Sequence, residues 1–128
     1  MGRIPKLATG LVAFVAMIGL CSSAFAEEAP LGKRLFHKRC GACHTAVAGD
    51  NRVGPSLFGL IGRTSGQVAG FDYSFNNRKD KVVWTAEVLE TYIADPTHVV
   101  PGTKMTVFRG VKDPSERAAI VEYLEQQK

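Results

Sequence analysis

The run Cys40-Gly41-Ala42-Cys43-His44 places two thiols and an imidazole within five consecutive residues. Two cysteines three apart at a helix end face the same way, so both sulfurs can add across the two vinyl groups of one porphyrin. The histidine that follows is turned so that a ring nitrogen can reach the iron. Gly41 and Ala42 are small, which lets the backbone lie close to the macrocycle. This is the attachment signature of a c-type haem. Other chemistries also use a close cysteine pair. A thiol–disulfide couple requires a preceding strand and a βαβ context, and neither is visible before Cys40. Zinc requires two further ligands, and His37 and His98 stand at no zinc spacing. A structural disulfide beside an unrelated histidine stays open, but it leaves the glycine-rich segment that follows without a purpose.

Before the motif, Pro30 fits a first helical turn, and Leu31, Leu35 and Phe36 repeat at helical spacing. After it the texture changes. Seven of the thirteen glycines fall between Gly41 and Asp72, with no sustained period; a loop of that length in a small domain is usually functional. A second helix is predicted from Thr85, with Val88, Leu89, Tyr92 and Ile93 on one face, ending near Asp95-Pro96. Asp113-Pro114-Ser115-Glu116 reads as N-cap, N1 proline and N3 glutamate of a capping box, and Ile120, Tyr123 and Leu124 form the stripe behind it. There is no repeat and no alternating strand pattern. The expected class is all-α, three main helices whose loops are too long for their own small core. A bound haem would fill the middle.

The composition, 45% hydrophobic and 22% charged over 128 residues, suits one soluble domain and excludes a multidomain machine or a disordered chain. Arg3 and Lys6, the apolar run Leu7–Leu20 and Ala24-Phe25-Ala26 have the order of a secretory signal peptide. The run is broken by Thr9 and Gly10 and is short for a membrane span. Residues 1–26 are therefore expected to be removed, leaving a domain of residues 27–128 exported to an oxidising compartment. Cys21 as a lipid-attachment site is disfavoured by the large Leu20 before it. Sixteen Lys and Arg against twelve Asp and Glu give +4; the leader takes Arg3 and Lys6 and no acid, so fourteen against twelve leaves +2. Nucleic acid is not an expected partner.

Met105 is the only methionine outside the leader. A lone methionine is more often a core gap-filler, but this one follows a Pro101-Gly102 turn, which suits a loop presenting sulfur to a metal. His98 is the competing ligand, expected to be exposed, and His37 reads as a solvated helix residue. Met/His ligation would raise the potential and close both axial positions.

With these residues in place, the chain from about Leu31 to its end resembles the class I c-type cytochromes. The resemblance implies the monohaem cytochrome c fold, one haem c held through Cys40 and Cys43, and iron ligated by His44 and Met105. Gly54-Pro55 resembles the loop whose proline carbonyl accepts from the ligating imidazole. In Phe58–Arg63, Arg63 would sit near a propionate; in Gly70–Ser74, the Tyr73 hydroxyl would reach one. Asn77 matches a polar residue near the methionine side, Trp84 the tryptophan whose N–H meets a propionate, and Tyr92 the tyrosine beside the ligand sulfur. Thr103 belongs to the same implied set of haem contacts. Gly32 and Phe36 resemble the crossing point with Tyr123 and Leu124. The chain departs from the mitochondrial pattern by one residue fewer between His44 and Pro55, one more after Met105, and Asp95-Pro96-Thr97 in place of Asn-Pro-Lys.

The implied function is electron transfer without catalysis. A soluble monomer would shuttle single electrons between membrane complexes (a cytochrome bc-type complex, a terminal oxidase or a photosynthetic reaction centre) or periplasmic redox enzymes. A thiol–disulfide enzyme and a haem sensor that loses Met105 are the alternatives. Arg39, Arg52, Lys104, Arg109 and Lys112 flank the haem ligands, while Glu87, Glu90, Glu116, Glu122 and Glu125 lie on the second and last helices. That pattern predicts a dipole with its positive end at the haem edge, docking on an acidic patch.

Overall fold

Leu35 and Phe36, both buried, fix the seat of the first helix. The computed structural model describes Gly2 and residues 29–128, so the expected leader and its cleavage site lie outside the described residues. Helix α1 spans Leu31–Arg39, with Pro30 at the N-cap and His37, Lys38 and Arg39 in the last turn, where positive charge suits the helix dipole. Leu31 is 57% exposed and does not join the buried stripe. The short helix α2, Phe75–Lys79, starts at Ser74, whose hydroxyl accepts from Asn77 N–H. Helix α3 is Ala86–Ala94, capped by Thr85 as its sequence predicts. Asp95-Pro96 does end it, but the same pair starts another turn: Asp95 is also the N-cap of α4, Pro96–Val99, with Pro96 in its first turn.

Helix α5, Pro114–Glu125, starts at Asp113, whose carboxylate accepts from the N–H groups of Ser115 and Glu116. Only this half of the capping box forms, because the Glu116 carboxylate turns away to Arg39 at 2.6 Å. Helices α1 and α5 cross at Gly32, where a Cβ would lie 2.2 Å from the Ala119 carbonyl oxygen; no larger residue allows that approach. Phe36 and Tyr123 stack beside the crossing, 5.3 Å between ring centroids.

Phe36, Val100, Val111, Ile120 and Leu124 are fully buried where α1, α3 and α5 meet. Each such side chain contributes about 1.5–3 kcal/mol. No strand occurs among the described residues; one bridge, Thr64 to Val83, ties the glycine-rich loop to the approach of α3. The architecture is all-α, three main helices and two short ones, with residues 40–74 free of regular structure. That long loop and the segment after α4 enclose the space the helices leave.

Candidate haem site

The chain leaving α1 turns back through backbone bonds. Cys43 and His44 N–H donate to the Cys40 carbonyl at 3.0 and 2.9 Å, and Gly54 N–H reaches the Cys43 carbonyl at 2.8 Å. Cys40 and Cys43 are free thiols, partly buried, on the wall of a cavity of about 180 Å³. Close-packed interiors hold few voids larger than a water molecule, so this volume is a site. Burial pushes the Cys40 thiol up to about 12. It is protonated at neutral pH, the opposite of what a thiol–disulfide catalyst requires. Gly41 is also constrained by the last turn of α1, since a Cβ there would lie 2.6 Å from the His37 carbonyl oxygen.

The buried His44 ring holds Nδ1 2.8 Å from the Pro55 carbonyl oxygen. A carbonyl only accepts, so Nδ1 carries the proton and Nε2 keeps its lone pair. Burial lowers the His44 pKa against the opposing bond to Pro55, which keeps the imidazole neutral. Gly54 presses on the ring: a Cβ there would lie 2.1 Å from Cε1. This wall is built from residues close in sequence.

The sulfur wall comes from three segments. Tyr92 Oη lies 3.2 Å from Met105 Sδ and 3.1 Å from Thr103 Oγ1, while Met105 N–H points at Thr103 Oγ1 at 3.3 Å. The thioether has no proton, so the single phenolic hydrogen goes to sulfur and the Thr103 hydroxyl donates to Tyr92. The bonds then close a ring that starts and ends on Met105, and the second lone pair of sulfur is left over. Thr103 and Tyr92 are both buried, and Tyr92 packs edge-on against Trp84, 4.7 Å between centroids.

Trp84, Tyr73, Asn77, Arg63 and Thr103 all line the same cavity. The Trp84 indole N–H finds no acceptor among the described residues. Tyr73 Oη accepts from Val68 N–H at 3.3 Å, which leaves its proton unused. Arg63 is more occupied than expected: Nη1 and Nη2 donate to the carbonyls of Phe58 and Ser56 at 3.0 and 3.1 Å. Asn77 spends its amide on the Ser74 hydroxyl at 3.1 Å. Sequence reading missed Leu57, Phe71, Val107 and Phe108 on the wall, since isolated apolar residues in loops carry no period. His37 and His98 are exposed and do not line the cavity. Among the described residues no three His, Cys, Asp or Glu side chains gather as a metal site. Two thiols, a neutral imidazole, a thioether and two unused donors around apolar walls fit a haem with its carboxylates.

Three of the five cations of the expected positive pole are held in ion pairs. Arg39 pairs with Glu116 at 2.6 Å, Arg52 with Asp50 at 3.2 Å and Lys104 with Asp72 at 2.7 Å. Lys112 donates to the Ala94 carbonyl at 3.1 Å and lies in the field of Asp95. Arg39 and Glu116, assigned to opposite poles by sequence, hold each other. The mouth is instead apolar, with Val53 and Val107 lining the cavity at 76% and 82% exposure.

A family model described as Cytochrome c matches residues 29–128. The chain is 52% identical over 94 residues to cytochrome c2 of Rhodopila globiformis, covering 73% of this chain and 88% of that one. It is 42% identical over 122 residues to cytochrome c2 of Blastochloris viridis, covering 94% and 92%, and 49% identical over 94 residues to cytochrome c 2.1 of Caenorhabditis briggsae, covering 73% and 83%. Identity at this level extends over nearly the whole described domain. The chain therefore belongs to the cytochrome c family, electron-transfer proteins rather than enzymes, and Cys40 and Cys43 stand where that family binds haem c covalently.

Proposed function

We propose that this chain is an exported, monomeric one-electron carrier of the periplasm, with His44 and Met105 as the axial ligands. One observation carries the reading: His44 and Met105 line the same cavity, each held by a hydrogen bond that spares one lone pair for iron. When bound, the haem supplies a one-electron iron couple, and Met/His ligation raises its potential. Pro55 fixes the tautomer of His44; Tyr92 and Thr103 aim the sulfur. Trp84 and Tyr73 would donate to the haem carboxylates, Arg63 sets positive charge in the wall, and Asn77 adds a polar group. With His44 and Met105 both given to the iron, no position would be left on it for a substrate, which supports transfer of electrons alone.

Export is supported by the basic, apolar and Ala24-Phe25-Ala26 order of the leader. The Blastochloris viridis alignment, at 94% of the chain, necessarily extends into that segment. Among the described residues no helix is long and apolar enough to cross a membrane. The partners would be a cytochrome bc-type complex, a terminal oxidase, a reaction centre or a periplasmic redox enzyme, docking transiently at the cavity mouth. Because Arg39, Arg52 and Lys104 are paired, contact there rests on Val53 and Val107 as well as on charge.

Mass spectrometry of the secreted protein should give a chain starting at Glu27 plus one haem, with no free thiol. A membrane-bound species retaining Leu7–Leu20 would refute the soluble carrier. Association with a membrane partner should weaken only mildly with salt, and a steep decline would restore the electrostatic docking read from sequence.

A further inference from the structure

The segment carrying Met105 is gripped from outside by a part of the chain far from it in sequence. Lys104 Nζ donates to both the backbone carbonyl and Oδ2 of Asp72, each at 2.7 Å, across 32 residues. Asn76 Nδ2 donates to the Pro101 carbonyl at 2.6 Å, across 25 residues. The two bridges flank the positive-φ turn at Gly102, so residues 72–76 hold the Met105 segment on both sides of its bend. Inside, the one hydrogen bond to the sulfur among the described residues comes from Tyr92.

We propose that Asp72 and Asn76 form a clasp that positions Met105 and sets how readily it yields the iron to an incoming small ligand. The inference rests on Met105 being that ligand. Its physical basis is locality. Asp72 is 87% exposed and Lys104 53%, so the pair adds little to global stability. Lifting the Met105 segment, however, breaks both bridges at once while α1, α3 and α5 stay packed. Such sub-global openings have their own free energy, and the clasp contributes directly to this one. It thereby decides between a closed electron carrier and a haem that accepts ligands.

The test is imidazole binding to the ferric holoprotein, followed by loss of the sulfur-to-iron charge-transfer band. Asp72→Asn and Asn76→Ala should each raise imidazole affinity several-fold, and the double variant by about tenfold. Asp72→Glu, which keeps the carboxylate, should recover most of the effect of Asp72→Asn. Added salt should raise imidazole affinity in the parent and much less in Asp72→Asn, because it screens the same pair. A parent protein lacking the charge-transfer band would overturn the assignment of Met105 and the clasp together. A band present in the parent, with imidazole affinity unchanged in the double variant, would overturn the clasp alone. So would a fold loss in the global folding equilibrium much larger than the rise in affinity, since the bridges would then support the whole fold and not only the closed segment.

Discussion

The His44 wall and the Met105 wall are built by opposite strategies. His44 is held within one stretch, Cys40 to Pro55, by its own backbone turns, by the carbonyl of Pro55 and by Gly54 lying flat on the ring. Met105 is held by Tyr92, by Thr103 and, through its neighbours, by Asp72 and Asn76. One wall is local and rigid; the other is assembled from distant segments. Short loops cost little entropy to close and tolerate no intrusion. A wall joined by side chains can open at one joint without unfolding.

The largest expected effect breaks the sulfur wall outright. Met105→Ala should abolish the sulfur-to-iron band and lower the midpoint potential by on the order of a few hundred mV, within the roughly 0.8 V range that axial ligands span. Redox titration checks it, and an unchanged potential would remove Met105 from the iron.

Glycine substitutions sharpen the contrast. At Gly54 a Cβ would lie 2.1 Å from the His44 ring, so Gly54→Ala should cost about 3 kcal/mol, as overpacking does. At Gly102 the nearest atom would be Asn76 Nδ2 at 3.6 Å and the φ of +73° is the only obstacle, so Gly102→Ala should cost about 1 kcal/mol. Denaturant unfolding of the two holoproteins gives the order directly. Equal costs would mean that the His44 wall gives way as easily as the other.

Tyr92→Phe keeps the ring against Trp84 and removes the donor to sulfur. The sulfur then gives more density to iron, so the potential should fall by tens of mV and stability by about 1 kcal/mol. The charge-transfer band should remain.

The smallest effect lies outside both walls. The Ser115 hydroxyl, then the N–H groups of Ser115 and Glu116, hold the Asp113 carboxyl below the usual carboxylate range. Its capping contribution is therefore full above the unfolded pKa and is lost as pH falls through the lower folded value. Asp113→Ala should be less stable at neutral pH and converge on the parent in acid, with its charge-transfer band unchanged. Thermal melts at several pH values give both curves.

What local chemistry determines was legible in the sequence. Five consecutive residues specified the haem attachment, Thr85 and Asp113 marked their helix starts, and Leu89, Ile120 and Leu124 declared the buried faces by period. Resemblance then pointed to Pro55, Tyr92 and Thr103 as lining the haem site, and the structure sets Pro55 beside His44 and Tyr92 and Thr103 beside Met105. The caps at Ser74 before α2 and Asp95 before α4 came only from the structure, because helices this short show no period in the sequence. Only the tertiary structure decided where the charges went. Glu116 left its capping box for Arg39, 77 residues away, Lys104 bound Asp72 instead of waiting for a partner, and Arg63 gave two donors to nearby carbonyls. A cap or a haem motif forms between residues a few bonds apart, so sequence order already sets its geometry. An ion pair between distant segments exists only once packing has brought them together, and no local pattern encodes that meeting.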